Sequence, residues 1–203
     1  IDNSINKVTW HKDQEGNLII NGTYEKYPQH FTWKLYKNGL LHLEVAPLNI
    51  NQNNIQFSGV SFNYPEEKCT SIQWMGKGPY RVYKNRLKGT KFGIWEKEYN
   101  NTITGESFDS LIYPEFKGYH ANLYWAEFRT RESDFRIFCE TDDIFLRLFT
   151  PGSPESPGNG ADCVYPAGDI SFLYDIPPIG TKFSAPEKLG PSSQPEEIRY
   201  RKL

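Results

Sequence analysis

The sequence predicts an all-β fold, because short runs rich in β-branched and aromatic residues follow one another at intervals of about 8–12 residues. Phe31, Trp33 and Leu35 alternate with other residues in one run, and Leu41, Leu43 and Val45 alternate in the next. Asn38-Gly39 lies between them and is a strong hairpin signal, because both central positions of a type I′ turn need a positive φ. No stretch combines a helical period with helix caps. We therefore expect antiparallel strands in a sandwich or barrel.

The remaining strands are predicted from the same kind of pattern. A turn over 13–16 joins the first two strands, Gly59 is a candidate bulge, and 150–160 is a Pro/Gly/Ser loop of eleven residues. Pro177–Phe183 is expected to be an extended edge. The predicted strands outside the hairpin are 7–11, 17–21, 54–64, 70–74, 92–98, 111–113, 122–130, 135–140, 144–149 and 170–174.

The stretch from Trp74 to Arg86 stands out, with the sequence Trp-Met-Gly-Lys-Gly-Pro-Tyr-Arg-Val-Tyr-Lys-Asn-Arg. Gly76, Gly78 and Pro79 predict that the strand breaks into a tight loop, because glycine reaches positive φ and proline fixes φ near −65°. Two interpretations stay open at this point. The loop is a corner whose aromatics pack on the sheet, or it presents aromatics to a ligand.

The pattern Trp74-x-Gly76-x-Gly78-Pro79-x-x-x-Tyr83-x-x-Arg86 resembles the C-terminal small-chain domain of β-galactosidases in glycoside hydrolase family 2. Downstream stretches extend the resemblance over about residues 18–150: Gly93–Trp95, Ile112–Glu115, and Gly118 followed by the 123–128 strand. The resemblance implies a large antiparallel two-sheet supersandwich, similar to galactose mutarotases. Periodicity alone does not choose that topology.

Three departures weaken the inference that galactose is the substrate. Arg81 stands where the family usually carries Glu, and Asn85 stands where it carries Asp. The family's Gly-rich acidic motif ending in Trp is missing from the C-terminal region, where 165–172 reads Tyr-Pro-Ala-Gly-Asp-Ile-Ser-Phe.

The resemblance implies a non-catalytic domain that packs on a separate catalytic (β/α)₈ barrel and other domains of its parent chain, and that helps to shape the sugar site. In family 2 enzymes both catalytic glutamates lie on that barrel, and this sequence has no alternating strand–helix pattern. We therefore expect no hydrolysis by this chain alone. The alternative is a free-standing carbohydrate-binding module, and a weaker third option is a mutarotase-like epimerase with a His acid and a Glu base.

Carbohydrate is the expected ligand, and Tyr80, Tyr119 and His120 are the predicted substrate-binding residues. Sugars stack their C–H faces on aromatic rings and need directional partners for their hydroxyls. Two stretches fit this requirement, 78–80 and 113–120, and we expect them to meet at one exposed end of the sandwich. The competing interpretation is that Tyr113 and Phe116 close the core and Tyr119 only enters a strand.

No catalytic residue, metal ligand or cofactor is assigned. Asp109, Glu115, Asp134, Asp142, Asp143 and Asp169 are acidic residues in β-loops, and none belongs to a motif that specifies a catalytic pair. The three cysteines lack zinc spacing. The alternation around Cys139 predicts a core thiol, and a Cys69–Cys163 pair is left open.

The composition argues against nucleic acid and membranes as partners. A net charge of −2 offers no basic stripe for nucleic acid, and no apolar run approaches the length of a membrane span. We expect residues 1–183 to form the sandwich domain and 184–203 a Pro/Ser-rich connector or tail. Since the one Met is Met75, we expect the chain to begin inside a longer or processed protein. A periplasmic or extracellular location is a separate expectation.

Overall fold

The computed structural model describes residues 4–25, 30–45, 57–103, 115–153, 163–181 and 183–194. They form two compact units, one within residues 1–55 and one over residues 56–195. Eleven strands and three short 3₁₀ helices make up the described secondary structure, and none of these helices has the length and apolarity to cross a bilayer. The all-β class and two antiparallel sheets are confirmed.

The first unit holds a four-stranded antiparallel sheet in the order β1-β2-β3-β4. Its strands are β1 (Ile5–Lys12), β2 (Leu18–Tyr24), β3 (His30–Leu35) and β4 (Leu41–Val45).

The hairpin between β3 and β4 is confirmed, but its predicted turn type is wrong. Only Gly39 has a positive φ, of 88°, whereas a type I′ turn would also need one at Asn38. The Tyr36 N–H donates to the Leu40 carbonyl and the Gly39 N–H donates to the Tyr36 carbonyl, both at 2.9 Å. This pattern fits a three-residue loop in which the glycine takes the left-handed position.

The second unit holds a seven-stranded antiparallel sheet in the order β5-β11-β10-β8-β6-β7, with β9 paired to β8. Gly59 of β5 pairs with Leu173, and the register shift beside this pair leaves the extra residue, Tyr174, on β11, so the bulge predicted at Gly59 lies on the partner strand. The strands are β5 (Ser58–Phe62), β6 (Cys69–Val82), β7 (Lys91–Glu98), β8 (Gly118–Thr130), β9 (Phe135–Phe138), β10 (Phe145–Leu148) and β11 (Ile170–Asp175), and the 3₁₀ helices are Glu66–Lys68, Pro186–Lys188 and Pro191–Ser193.

The core of this unit lies around β6 and β8, the two longest strands. Ile72 and Trp74 of β6 and Ala126 and Phe128 of β8 are fully buried. The register places Ile72 opposite Phe128 and Trp74 opposite Ala126, so these four residues lie on one face of the sheet. Burial on one face fixes the register, because a shift by one residue would turn the whole apolar set outward.

The three cysteines are free thiols. Cys69 is buried at the start of β6, and burial raises its pKa to about 11. Cys139 follows the end of β9 and is half-buried, so the structure corrects the prediction of a core thiol. The Cys69–Cys163 pair that the sequence left open is not formed.

Candidate functional site

The Gly76–Pro79 stretch lies inside β6 and is not the predicted loop. β6 continues to Val82 and stays in register with β7 as far as the Gly78–Lys91 pair. On its other side, the pairing with β8 shifts register between Met75 and Lys77 and again before Val82. The glycines and the proline therefore mark bulges in a long strand, not its end.

Gly78 is required by close packing. A Cβ at this position would lie 2.6 Å from Cδ1 of Trp95 and 2.9 Å from the ring of Trp74. Gly76 is similarly tight, since its Cβ would lie 2.7 Å from the Asn122 carbonyl oxygen. Two tryptophans thus pack against the bare backbone of the motif, which supports the architectural interpretation of this stretch.

The predicted exposed group of Tyr80, Tyr119 and His120 is not found. Tyr119 and His120 are 0% and 1% exposed, and only Tyr80 is partly exposed. They are buried because β8 begins at Gly118, so both residues lie on a central strand. The expectation of a shared exposed surface is therefore wrong for Tyr119 and His120, while sugar contact by Tyr80 stays a prediction. Tyr113 lies outside the described residues.

Tyr119 and His120 point to opposite faces of the sheet, as neighbours on a strand must. The Tyr119 hydroxyl donates to the Val164 carbonyl at 2.7 Å, and its ring stacks on Tyr165 with centroids 5.0 Å apart. The His120 ring lies 5.0 Å from the Trp74 ring. Each side chain thus has an internal structural partner.

Asn85 anchors the segment that follows β6, which the sequence did not indicate. Its amide nitrogen donates to the Ile179 carbonyl and the Ser193 hydroxyl at 2.9 Å, and its oxygen accepts from the Ile179 N–H at 3.0 Å. Arg86 is exposed, and its Nη1 donates to the Asn85 carbonyl at 3.1 Å. The departure from the family's Asp at position 85 could have drawn attention to this residue.

A buried charged cluster, formed by Arg81, Lys97, Glu115 and His120, lies beside the motif. Arg81 forms an ion pair with Glu115, with Nη2 and Oε1 2.6 Å apart and both side chains about nine-tenths buried. Lys97 lies opposite Ile72 in the β6–β7 register and is 7% exposed. His120 Nε2 lies 3.1 Å from the Phe116 carbonyl oxygen. Arg81 thus takes a structural role at a position where the family carries an acid.

Electrostatics couples the members of this cluster. Burial lowers the pKa of Lys97 to about 7, with Glu115 opposing and Arg81 reinforcing the shift. Burial also lowers the pKa of His120 to about 4, and the charges of Lys97 and Arg81 add to that effect. Burial raises the pKa of Glu115, against the attraction of Arg81 and Lys97. Mutual influence of this kind requires the charged groups to lie close together.

Arg147 is also a buried cation, but carbonyl oxygens hold it in place. Its Nη1 donates to the Asp169 carbonyl at 3.0 Å. Its Nη2 lies 2.7 to 3.2 Å from the carbonyl oxygens of Pro166, Ala167 and Gly168. This guanidinium fixes the segment that leads into β11, which is a structural role.

The opposite face of the sheet carries an apolar row. In the strand registers Ile94 lies opposite Met75, Met75 opposite Trp125, and Trp125 opposite Phe138. We call these four residues the exposed row, because its ends, Ile94 and Phe138, are 62% and 60% exposed while its middle is half-buried. An apolar row that crosses four strands is the kind of surface that marks a contact site.

Two aromatic rings extend this surface. Phe92 and Tyr124 are exposed, and their rings meet edge to face with centroids 5.5 Å apart. The guanidinium of Arg136 lies 5.5 Å from the Trp125 ring. An apolar surface with a charged neighbour at its rim has the composition of a protein contact.

Several described acidic residues have hydrogen-bond or ion-pair partners within the fold. Glu127 pairs with Arg129 and Arg136, and Asp169 accepts a hydrogen bond from the Tyr64 N–H. Asp134 binds Arg129, and Asp143 accepts from Asn122. Asp109 lies outside the described residues. Within the described ranges, no three His, Cys, Asp or Glu side chains are grouped so that they could hold a metal ion.

The described residues form two antiparallel sheets, with motif glycines that pack tryptophans and an apolar row that faces outward. A comparison with protein families identifies the family of the chain. The model of the β-galactosidase small chain matches residues 2–187, and the chain therefore belongs to the β-galactosidase small-chain family. No curated protein matches the chain.

Proposed function

We propose that this chain is a non-catalytic domain of a family 2 glycoside hydrolase, which packs on the catalytic (β/α)₈ barrel and helps to shape its sugar site. The observation that carries the proposal is the small-chain family match over residues 2–187. A small chain is one part of a larger β-galactosidase, so the parent's other domains are its first expected partners. Polysaccharide breakdown in the periplasm or outside the cell is the setting that this proposal implies.

The buried carboxylates, which are held in ion pairs with arginines, support a non-catalytic role. Retaining hydrolysis needs two carboxyl groups about 5–5.5 Å apart and open to the glycosidic bond. Glu115 and Glu127 are the buried acids of the described residues, and both are held by arginines. A carboxylate locked in an ion pair is a poor nucleophile and a poor proton donor.

The exposed row is the surface that we propose for packing on the rest of the glycosidase. Its ends are apolar side chains more than half exposed in this chain, and a contiguous exposed apolar surface often marks a protein contact. The partner's surface would be apolar at its centre, with an acidic group near Arg136.

Tyr80 is the residue we keep as a direct sugar contact. It is partly exposed and follows the cis Gly78–Pro79 bond near the end of β6. Sugar contact at Tyr80 would place the end of this strand beside the substrate.

A free-standing carbohydrate-binding module is the second candidate function. The observation that favours it is the exposed Phe92–Tyr124 ring pair, since sugar rings stack on exposed aromatic faces. In that case the chain alone would bind a polysaccharide.

Turnover of aryl β-galactosides tests the proposal. We expect the full-length protein that carries this chain to hydrolyse an aryl β-galactoside and this chain alone to show none. Turnover by the chain alone, abolished by changing one of its own Asp or Glu residues, would contradict the proposal. Retention of this chain on an insoluble polysaccharide would favour the binding-module alternative.

A further inference from the structure

Three nitrogen atoms of the buried charged cluster have no hydrogen-bond partner in the part of the chain that the structure describes. They are Nη1 of Arg81, Nζ of Lys97 and Nδ1 of His120. All three side chains are at least about nine-tenths buried. Buried polar atoms are nearly always paired, so three unpaired nitrogens in one cluster indicate that a further group belongs there.

The charges of the cluster do not balance. Arg81 is a cation throughout the physiological pH range, Lys97 is a cation below its lowered pKa of about 7, and Glu115 is the acid among the described residues that pairs with Arg81. A buried charge without a counter-charge is strongly unfavourable. The missing group should therefore carry one negative charge.

The hydrogen-bonding chemistry indicates an acceptor. Arg81 Nη1 and Lys97 Nζ can only donate, and neither has an acceptor. The Phe116 carbonyl can only accept, so His120 Nε2 carries the proton and donates to it. Nδ1 of the neutral ring is then a lone pair that cannot donate, so Arg81 and Lys97 are the two donors of the cluster.

We propose that the buried charged cluster binds a small monovalent anion, a halide or a carboxylate, which accepts N–H hydrogen bonds from Arg81 and Lys97. The burial of the cluster sets the size limit, because only a compact anion can reach side chains so little exposed. One negative charge would balance the cluster, whereas a divalent phosphate or sulfate would overcompensate it. The site lies beside the Trp74 ring on the face opposite the exposed row, so it is distinct from the proposed docking surface.

Thermal unfolding of the full chain tests the site. Chloride is titrated at constant ionic strength against gluconate, a monovalent anion too large for the cluster, and formate is titrated in a parallel series. We expect a saturable rise in Tm of about 3–5 °C. Saturation by chloride but not formate would identify a halide site, and saturation by formate but not chloride a carboxylate site. A Tm that is the same in all three salts would overturn the proposal.

Lys97→Met and Lys91→Met form a matched pair for this titration. Both lysines lie on β7, but Lys91 is exposed at the start of the strand. Lys97→Met should abolish the anion-dependent rise in Tm, and Lys91→Met should retain it. An equal rise in Lys97→Met and in the wild type would show that the anion binds elsewhere and would overturn the assignment.

Crystals grown in bromide give a readout that does not depend on variant folding. We expect an anomalous peak within hydrogen-bonding distance of Lys97 Nζ and Arg81 Nη1. A water molecule at that position, with no anomalous signal, would mean that buried water completes the cluster and would overturn the proposal.

Discussion

Two residues of the same strand, Lys97 and Ile94, occupy inverted environments. Lys97 is 7% exposed and lies on the face that buries Ile72 and Trp74, whereas Ile94 is 62% exposed on the other face. In ordinary sheets the apolar side chain lies inside and the lysine outside. The exposed isoleucine and the buried lysine lie only three residues apart on β7.

Selection for stability alone would not favour a buried lysine or an exposed apolar row, so these two positions need another explanation. A buried lysine without an acceptor destabilises the fold unless something binds it, and an exposed apolar row is buried only by a partner. Arg147 is the internal reference, because it is also buried but its terminal nitrogens meet carbonyl oxygens. We therefore interpret Arg147 as structural and propose binding roles for Lys97 and Ile94.

The largest loss of stability is expected from changing Glu115, the acid that balances the buried positive charge of Arg81. Glu115→Gln leaves Arg81 and Lys97 without a counter-charge and should cost about 3–5 kcal/mol of unfolding free energy. Urea denaturation measures it. Glu132→Gln is the control, because the Lys68–Glu132 pair is far more exposed and should contribute at most about 1 kcal/mol. Equal losses in the two variants would contradict the role of Glu115.

The next effect concerns the motif glycines on the buried face. Gly78→Ala forces a Cβ to 2.6 Å from Trp95 Cδ1 and should cost about 2–3 kcal/mol through overpacking. Gly93→Ala is the matched control on β7, because its nearest contact would be 3.5 Å, an ordinary van der Waals distance. Thermal melting that finds Gly78→Ala no less stable than Gly93→Ala would show that the tryptophans move aside freely.

A smaller effect follows from the pKa of Lys97, which burial lowers to about 7. Above pH 7 Lys97 is protonated in the unfolded chain but has lost its proton in the folded chain. The free energy of unfolding therefore rises with pH until the pKa of the unfolded lysine is passed. In gluconate, the anion too large for the cluster, the wild type should gain about 2 kcal/mol between pH 7 and 9 relative to Lys97→Met. Urea titrations at both pH values measure the difference. The same pH dependence in both proteins would contradict a lowered pKa at Lys97.

Sequence patterns predicted the parts of the fold that follow local rules. Alternation at Phe31 and Trp33 and the Asn38-Gly39 pair gave the β3–β4 hairpin, because side-chain period and turn preference are local properties. The Gly76–Pro79 stretch was misjudged as a loop, since glycine and proline mark bulges as well as turns. Only the packing of Trp74 and Trp95 distinguishes the two.

The candidate site was harder to predict than the fold. Burial of Tyr119 and His120 depends on β8 being central, which is a property of sheet order and not of the local sequence. The inversion of Lys97 and Ile94 follows from register with β6, and the hydropathy of β7 alone would suggest the reverse. Sequence located the right motif, whereas the neighbours of Arg81 and Asn85 required the structure.

The smallest effect on stability is expected on the exposed face. Ile94→Lys replaces a side chain that is already in solvent, so its free energy of unfolding should stay within about 0.5 kcal/mol of the wild type. Urea denaturation of the full chain checks this. A larger loss would show that Ile94 already packs within this chain and would remove the basis of the exposed row.

The hydrolytic activity of the full-length protein carrying Ile94→Lys tests the central claim most directly. Leu41→Lys is the control, because Leu41 is equally an exposed apolar residue but lies in the four-stranded sheet, outside the row. The account predicts that Ile94→Lys lowers the rate of aryl β-galactoside hydrolysis by about tenfold or more, since a charge then faces an apolar partner. Leu41→Lys should stay within about twofold of the wild type, the range of a neutral surface change. Wild-type hydrolysis in the Ile94→Lys protein would contradict the claim that this row packs on the rest of the enzyme.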